Sequence, residues 1–198
     1  MSITCYLKSR GFTFFEGYSQ EVQQQVLDLI KLTDKENINI MEIGFNAGHS
    51  AEVFLQNNPT ARLTSFDFGS HDYVMPAKEY IDNTFPDRHT LLLGDSKMSI
   101  PLFLMSNKGK TFDFIFIDGG HDYETAKSDL TNCFKLAHKD TIVVMDDTMY
   151  NKDWEHSYNA GPTQVWCEFL QENKIIEINK RDYCPGRGMS WGTYVFDK

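Results

Sequence analysis

The sequence has little positive charge. Its 198 residues include 19 lysines and arginines against 28 aspartates and glutamates, which gives a formal net charge of −9. Nucleic acids and anionic membrane surfaces are bound through cationic faces, so this balance argues against both as partners. A small neutral or cationic molecule is the favoured partner.

Long apolar runs and closely paired cysteines are also missing. No stretch approaches the roughly 20 apolar residues of a membrane span, and the first residues carry no apolar signal core. The four cysteines (Cys5, Cys133, Cys167 and Cys184) fall in no C-x-x-C spacing, so neither a zinc site nor a disulfide framework is indicated. We therefore expect a reduced, cytoplasmic protein without a membrane segment.

What the sequence does have is a regular alternation of strand and helix patterns. Residues 1–18 are aromatic and show no period, so we expect an irregular lead-in that covers a pocket. Helical spacing then begins at Ser19, a predicted N-cap, and continues to about Thr33. Five short apolar runs predict strands at 38–43, 62–66, 90–93, 112–117 and 141–145. Strands that alternate with helices predict a parallel sheet with helices on both faces.

The alternation stops after the fifth strand. A polar loop over 148–161 leads to a helix that is expected to begin near Pro162. Two further strands, at 175–178 and 191–196, have no helix between them, so they predict an antiparallel hairpin at the sheet edge. The fold class is therefore α/β with seven mostly parallel strands. One domain spans 1–198, and the edge hairpin offers a contact for a homodimer.

The first strand leads into a glycine-rich turn. Residues 40–50 read IMEIGFNAGHS. Gly44 and Gly48 allow the backbone to approach a ligand closely, and the first N–H groups of the following helix have no intrahelical partner. A dinucleotide site would place a glycine at Asn46 to admit a pyrophosphate. The turn therefore predicts a ligand site and disfavours a dinucleotide.

The second and third strands also end in carboxylates. Asp67 follows the glycine turn by about 20 residues, the spacing at which a carboxylate accepts hydrogen bonds from ribose hydroxyls. Asp95 could accept a hydrogen bond from an adenine amino group, with the neighbouring Ser96 as a donor. A helix N-cap is an equally good explanation for Asp95 or Ser96, and the two roles can coexist.

A second acidic group follows the fourth and fifth strands. Asp118, Asp146 and Asp147 would repel one another unless a cation lay between them, and a hard divalent ion such as Mg²⁺ suits oxygen ligands. Alternatively, Asp146 or Asp147 caps the next segment and Asp118 only accepts turn hydrogen bonds. His121, three residues after Asp118, is either a catalytic base or a structural hydrogen-bonding group.

Three segments of the chain resemble the small class I S-adenosylmethionine-dependent O-methyltransferases of the catechol and caffeoyl-coenzyme A type, and their relatives that act on sugar or antibiotic hydroxyls. They are MEIGFNAGHS at 41–50, FDFIFID at 112–118 and DDTMYN at 146–151. The resemblance implies a Rossmann-like methyltransferase fold and an S-adenosylmethionine site. The residues implied for that site are Glu42, Gly44, Phe45, Asn46, Gly48, Ser50, Asp67, Asp95, Ser96 and Asp118.

The resemblance also implies the chemistry. Mg²⁺ or another divalent cation would be held by Asp118, Asp146 and Asp147 and chelated by a hydroxyl of a small-molecule substrate, whose pKa it lowers. His121 stands where the catechol-type enzymes have a basic lysine, so the implied catalytic residues are His121 and Asp118. Asp147 stands where they have asparagine, so the resemblance does not decide whether this protein shares their aromatic substrates.

Three alternatives remain open at this point. The same fold could bind a nucleoside or NAD-like cofactor for other chemistry. It could be an inactive methyltransferase fold that serves as a binding or partner module. It could also methylate another class of acceptor, such as nitrogen or protein.

Overall fold

The computed structural model describes residues 1–15 and 22–196, so the predicted N-cap at Ser19 lies outside the described residues. The strands are β1 (Asn39–Ile43), β2 (Arg62–Asp67), β3 (His89–Leu93), β4 (Phe112–Ile117), β5 (Ala137–Asp146), β6 (Ile175–Cys184) and β7 (Arg187–Tyr194). The helices are α1 (Ile3–Ser9), α2 (Gln23–Leu32), α3 (His49–Asn57), α4 (Val74–Thr84), α5 (Ser96–Ser106), α6 (Tyr123–Phe134) and α7 (Ser157–Gln171), with a short 3-10 turn over Lys152–Trp154.

All seven strands form one sheet, in the order β3-β2-β1-β4-β5-β7-β6. Strands β1 to β5 pair in parallel, and β7 lies antiparallel between β5 and β6. The predicted fold class is thus confirmed. The strand order reverses direction between β1 and β4. In open α/β sheets, ligands bind beyond the carboxyl ends of such a pair of strands.

The alternating side chains of the strands separate two apolar cores. In β4, Phe114 and Phe116 pack on one face of the sheet against Phe54 of α3. Ile115 and Ile117 point to the other face, whose core also contains buried side chains of α5, α6 and α7. Because β4 is buried on both faces, its sequence is a nearly continuous apolar run. That run made it the easiest strand to predict.

The prediction of an irregular segment over 1–18 is wrong for its first part. Residues 3–9 form α1, which begins at Ser2, where the Ser2 hydroxyl accepts a hydrogen bond from the Cys5 amide. Only Ile3 and Leu7 are buried, one turn apart. A helix of seven residues with two buried side chains gives too short a pattern for its period to be read.

The bounds near the C-terminus also differ from prediction. Helix α7 begins at Ser157, five residues before Pro162, and its N-cap is His156, which is not among the usual capping residues. Strands β6 and β7 are longer than the apolar runs that predicted them, because their turn-proximal halves are polar. The outer strand is β6, and the homodimer contact at this edge remains a prediction. No helix in the described ranges has the length and apolar character needed to cross a bilayer.

Candidate active site

A cavity of about 740 Å³ opens beyond the carboxyl ends of β1, β2 and β4, at the reversal point of the sheet. Its volume falls within the range of roughly 300–1,000 Å³ that is typical of ligand pockets. The lining includes most of the residues predicted for a cofactor site: Gly44, Phe45, Asn46, Ser50, Asp67, Asp95, Ser96 and Asp118. His121, Asp147 and Arg187 also line it.

The glycine turn is held tightly between neighbouring strands. The Gly44 amide donates to the Phe66 carbonyl at 2.8 Å, and the Asp118 amide donates to the Ile43 carbonyl at 2.9 Å. Gly44 has a φ of +94°, and a Cβ at this position would lie 1.8 Å from the Asp118 carbonyl oxygen. Only glycine allows this approach, so Gly44 joins the ends of β1 and β4 as well as lining the cavity. Gly48 begins α3 as its N-cap with a φ of +74°.

Glu42 lies beneath this turn and has no exposed area. Its carboxyl group accepts hydrogen bonds from the hydroxyls of Ser50 and Ser65, the latter at 2.6 Å. His89 Nε2 lies 3.0 Å from the same Ser65 oxygen. Burial raises the pKa of Glu42 to about 7. Glu42 was predicted for the cofactor site but is absent from the cavity lining, and its link to the cavity is the hydrogen bond from Ser50, which does line it.

Asp67 and Asp95 are both engaged with backbone amides. Asp67 Oδ2 accepts from the Asn46 amide and Oδ1 from the Gly69 amide, each at 2.7 Å. Asp95 is the N-cap of α5, where its side chain accepts from the Lys97 amide at 2.9 Å. The capping role considered for Asp95 is therefore present. Because a carboxylate has about four acceptor sites, these contacts leave capacity for ligand hydroxyl or amino groups.

The acidic end of the cavity brings together Asp118, His121 and Asp147. One ligand atom from each lies within 4.8 Å of the others. His121 Nε2 is 2.8 Å from Asp147 Oδ2, and the Asp147 side chain is 5% exposed. The other Asp147 oxygen, Oδ1, is buried without a hydrogen-bond partner in the described part of the chain. A left-handed backbone at Asp147, with φ of +53°, turns the chain at this point.

Asp146, predicted as a third metal ligand, lies outside that cluster. Its Oδ1 accepts a hydrogen bond of 2.6 Å from Gln25 of α2, so one oxygen already has a partner. Burial and the neighbouring carboxylates raise the pKa values of Asp118 and Asp146 well above the usual range, and Arg187 opposes the shift. A carboxylate pair with an adjacent imidazole and an unpartnered buried oxygen suits a divalent cation, so the donor set fits the predicted ion.

Several residues that line the cavity were not predicted from the sequence, and two of them, Tyr158 and Arg187, come from the C-terminal part of the chain. Tyr158 comes from the first turn of α7, within the segment predicted as a loop, and Arg187 begins β7. A signal for Arg187 was present in Pro185-Gly186, a turn dipeptide. Because β7 runs antiparallel to its neighbour β5, a residue at its start lies at the same sheet edge as the carboxyl ends of the parallel strands.

Comparison with known proteins adds independent information. Residues 41–148 match a family model described as a methyltransferase domain. The fold is similar to that of an O-methyltransferase from Bacillus cereus in complex with S-adenosylhomocysteine, with 16% identity, a TM-score of 0.70 and coverage of 98% of this chain and 89% of that one.

A second similar structure is the O-methyltransferase TomG from Streptomyces achromogenes, which is involved in tomaymycin synthesis and was solved with S-adenosylmethionine. It has 13% identity and a TM-score of 0.71, over 98% of this chain and 88% of that one. At such identities these likenesses show a shared fold. No curated protein sequence matches the chain.

Proposed function

This chain belongs to the methyltransferase-domain family, and from that premise we propose that it transfers the methyl group of S-adenosylmethionine to a hydroxyl oxygen of a small molecule, with the help of a divalent cation. The observation that carries the proposal is the pair formed by His121 and Asp147, 2.8 Å apart, at one end of the cavity and beside Asp118.

The rest of the cavity suits the methyl donor. Asp67 would accept hydrogen bonds from the ribose hydroxyls, and Asp95 with Ser96 would contact the adenine. The backbone from Gly44 to Gly48 would lie along the methionine portion, with the Ser50 hydroxyl held in place by Glu42. The Phe45 ring is buried and stacked on His89, with centroids 5.0 Å apart, so Phe45 would contact the donor mainly through its backbone. The bound donor or product in similar structures supports this placement.

His121 would act as the proton acceptor. With Nε2 protonated and directed at Asp147, Nδ1 is the basic nitrogen of the ring. The acceptor hydroxyl gives its proton to the imidazole, its oxygen forms a bond to the methyl carbon, and the electrons of the broken carbon–sulfur bond go to sulfur. The products are the methyl ether and S-adenosylhomocysteine. Asp147 stabilises the imidazolium that forms, and no covalent enzyme intermediate is needed.

Asp118 and Asp147 are the residues that would hold a divalent cation, with His121 in reach as a third ligand. When bound, the cation would lower the pKa of the acceptor hydroxyl. The two roles of His121 are exclusive at any one nitrogen. Two measurements distinguish these roles. If His121 binds the cation, metal affinity depends on it, and if His121 is the base, turnover depends on it.

The experiment measures methyl transfer from labelled S-adenosylmethionine to a panel of catechols, diols and hydroxy acids, with Mg²⁺ or with a chelator. We expect His121→Asn to lower turnover by about 10²–10⁴-fold, the usual contribution of a general base. Its affinity for S-adenosylhomocysteine and for Mn²⁺ should stay close to that of the natural protein. His138→Asn, which changes a histidine paired with Asp113 outside the cavity, is the matched control.

Three outcomes would count against parts of this proposal. Unchanged turnover in His121→Asn would show that His121 is not the general base. Loss of Mn²⁺ affinity in that variant would make His121 a metal ligand. Full activity with a chelator present would show that methyl transfer does not need a divalent cation.

A further inference from the structure

Arg187 is a cation whose hydrogen-bonding capacity is not used by the described residues of the protein. Its side chain is 21% exposed and lines the cavity at the acidic end. Its ion pair in the described residues is with Asp147, where Nη1 and Oδ1 are 3.9 Å apart, beyond hydrogen-bonding distance. The guanidinium group forms no hydrogen bond within residues 1–15 and 22–196. Five N–H donors on a largely buried group therefore remain for a ligand.

The segment that carries Arg187 is held in place from several sides. The Gly186 amide donates to the Trp154 carbonyl at 2.9 Å, and the Tyr158 hydroxyl donates to the Gly186 carbonyl at 3.0 Å. On the other side, a Cβ on Gly188 would lie 2.1 Å from the Thr148 carbonyl oxygen, so the backbone there is tightly packed. Arg187 thus extends from a fixed turn, which keeps the entropy cost of ordering it on a ligand low.

We propose that Arg187 binds an anionic group of the methyl acceptor, so that the acceptor is a small hydroxy compound carrying a carboxylate or a phosphate. The inference rests on the proposed function and specifies its substrate class. The planar guanidinium fork matches two oxygens of either group, and such bidentate contacts are both strong and directional. His121 and Arg187 both line the cavity and lie 2.8 Å and 3.9 Å from the two carboxylate oxygens of Asp147, so a hydroxyl at His121 and an anion at Arg187 fit on one small molecule.

The overall charge of −9 favours neutral or cationic partners, but the positive charge of Arg187 favours an anionic group at this point of the cavity. In the loaded enzyme, the sulfonium of the methyl donor and a divalent cation would offset the charges of Asp118 and Asp147. The guanidinium would then be available to the anion of the acceptor. Arg187 lies close enough to Asp118, Asp146 and Asp147 to offset their charges, but at 3.9 Å from Asp147 it forms no direct hydrogen bond, so this role leaves its N–H donors available to a ligand.

The test compares matched anionic and neutral probes. Lactate and lactamide, salicylate and salicylamide, and glycerol 3-phosphate and glycerol are each titrated calorimetrically into the protein saturated with S-adenosylhomocysteine and Mg²⁺. The first two pairs report on a carboxylate and the third on a phosphate. The titrations are repeated with Arg187→Met and with Arg187→Lys. The control is Arg181→Met, because Arg181 lies on the same hairpin but forms its ion pair with Asp28.

We expect at least one anion to bind about tenfold or more tightly than its neutral partner, a preference worth about 1.4 kcal/mol. Arg187→Met should abolish that preference, Arg187→Lys should retain part of it, and Arg181→Met should leave it unchanged. A purely structural role for Arg187 would weaken the anionic and neutral probes equally. If Arg187→Met does not fold, the comparison is made with Arg187→Lys, which keeps the charge and removes the fork.

Equal binding of the anionic and neutral probes by the natural protein would overturn the inference, as would a preference that survives loss of the guanidinium. The proposed function fails separately, and visibly, if S-adenosylhomocysteine itself does not bind in the first step of the same experiment.

Discussion

The carbonyl oxygen of Asp118 lies 1.8 Å from the position that a Cβ on Gly44 would occupy. The glycine turn after β1 and the acidic turn after β4 are therefore in direct backbone contact. The cofactor end and the acidic end of the cavity share this wall. A change at Gly44 should consequently affect both ends together.

Gly44→Ala should destabilise the protein strongly and abolish binding of S-adenosylhomocysteine. The backbone strain of alanine at φ of +94° costs roughly 1–3 kcal/mol, and the clash with Asp118 adds to it. Gly11→Ala is the control, because Gly11 has the same φ and no atom within 4 Å of its added Cβ. Urea unfolding should show Gly44→Ala to be less stable than Gly11→Ala by at least about 2 kcal/mol. Equal losses would mean that the contact with Asp118 has little energetic effect.

Glu42→Ala should weaken binding of S-adenosylhomocysteine by about tenfold, because the buried hydroxyls of Ser50 and Ser65 lose their acceptor, at a cost of roughly 1–3 kcal/mol. Glu42→Gln should bind nearly as well as the natural protein at pH 6, because the carboxyl, with a pKa of about 7, is then mostly protonated and resembles an amide.

Calorimetric titration measures this effect, with Glu52→Ala as the control. Glu52 is also buried, and it accepts from the Ile3 amide and the Tyr80 hydroxyl, outside the cavity. Loss of stability is expected in both alanine variants, but loss of ligand affinity only at Glu42. Equal loss of affinity in both would show that the Glu42 effect is general destabilisation.

Asp129 should make the stability of the protein fall as pH rises. Its side chain is buried, and this burial raises its pKa from 3.8 to about 7, although the nearby Ser96 hydroxyl partly opposes the shift. Between those values the folded state holds a proton that the unfolded state has lost, so the free energy of unfolding decreases by up to about 1.4 kcal/mol per pH unit. Below pH 4 the contribution is fully present.

Asp129→Asn removes this titration. We expect its free energy of unfolding, measured in urea at a series of pH values, to match that of the natural protein near pH 4 and to exceed it by a few kcal/mol at pH 8. Profiles that stay parallel across this range would mean that Asp129 is ionised in the folded protein.

The sheet could be predicted from the sequence because its strands are short apolar runs with clear ends. The predicted bounds of Phe112–Ile117 match the structure at both ends, since a strand buried on both faces is a nearly continuous apolar run. The hairpin strands β6 and β7 are longer than predicted, because polar residues in their turn-proximal halves break the apolar pattern. The same break in the pattern hid Arg187.

The candidate site could be predicted as a set of strand ends, but not as a set of side-chain directions. Asp146 and Asp147 are adjacent, yet one accepts from Gln25 of α2 and the other pairs with His121 in the cavity. The left-handed backbone at Asp147 separates them, and no sequence rule requires an aspartate to adopt it. The burial of Glu42 under the turn likewise depends on Ser65, which belongs to a different strand.

In the function proposed above, one cavity holds the methyl donor and, beside it, a divalent cation at Asp118. The most direct measurement is a calorimetric titration of S-adenosylhomocysteine and of Mg²⁺ into the natural protein and into Asp118→Asn. We expect both proteins to bind S-adenosylhomocysteine and only the natural protein to bind Mg²⁺. If the natural protein does not bind S-adenosylhomocysteine, the cavity is not a methyl-donor site. If both proteins bind Mg²⁺ equally, Asp118 is not a ligand of the cation.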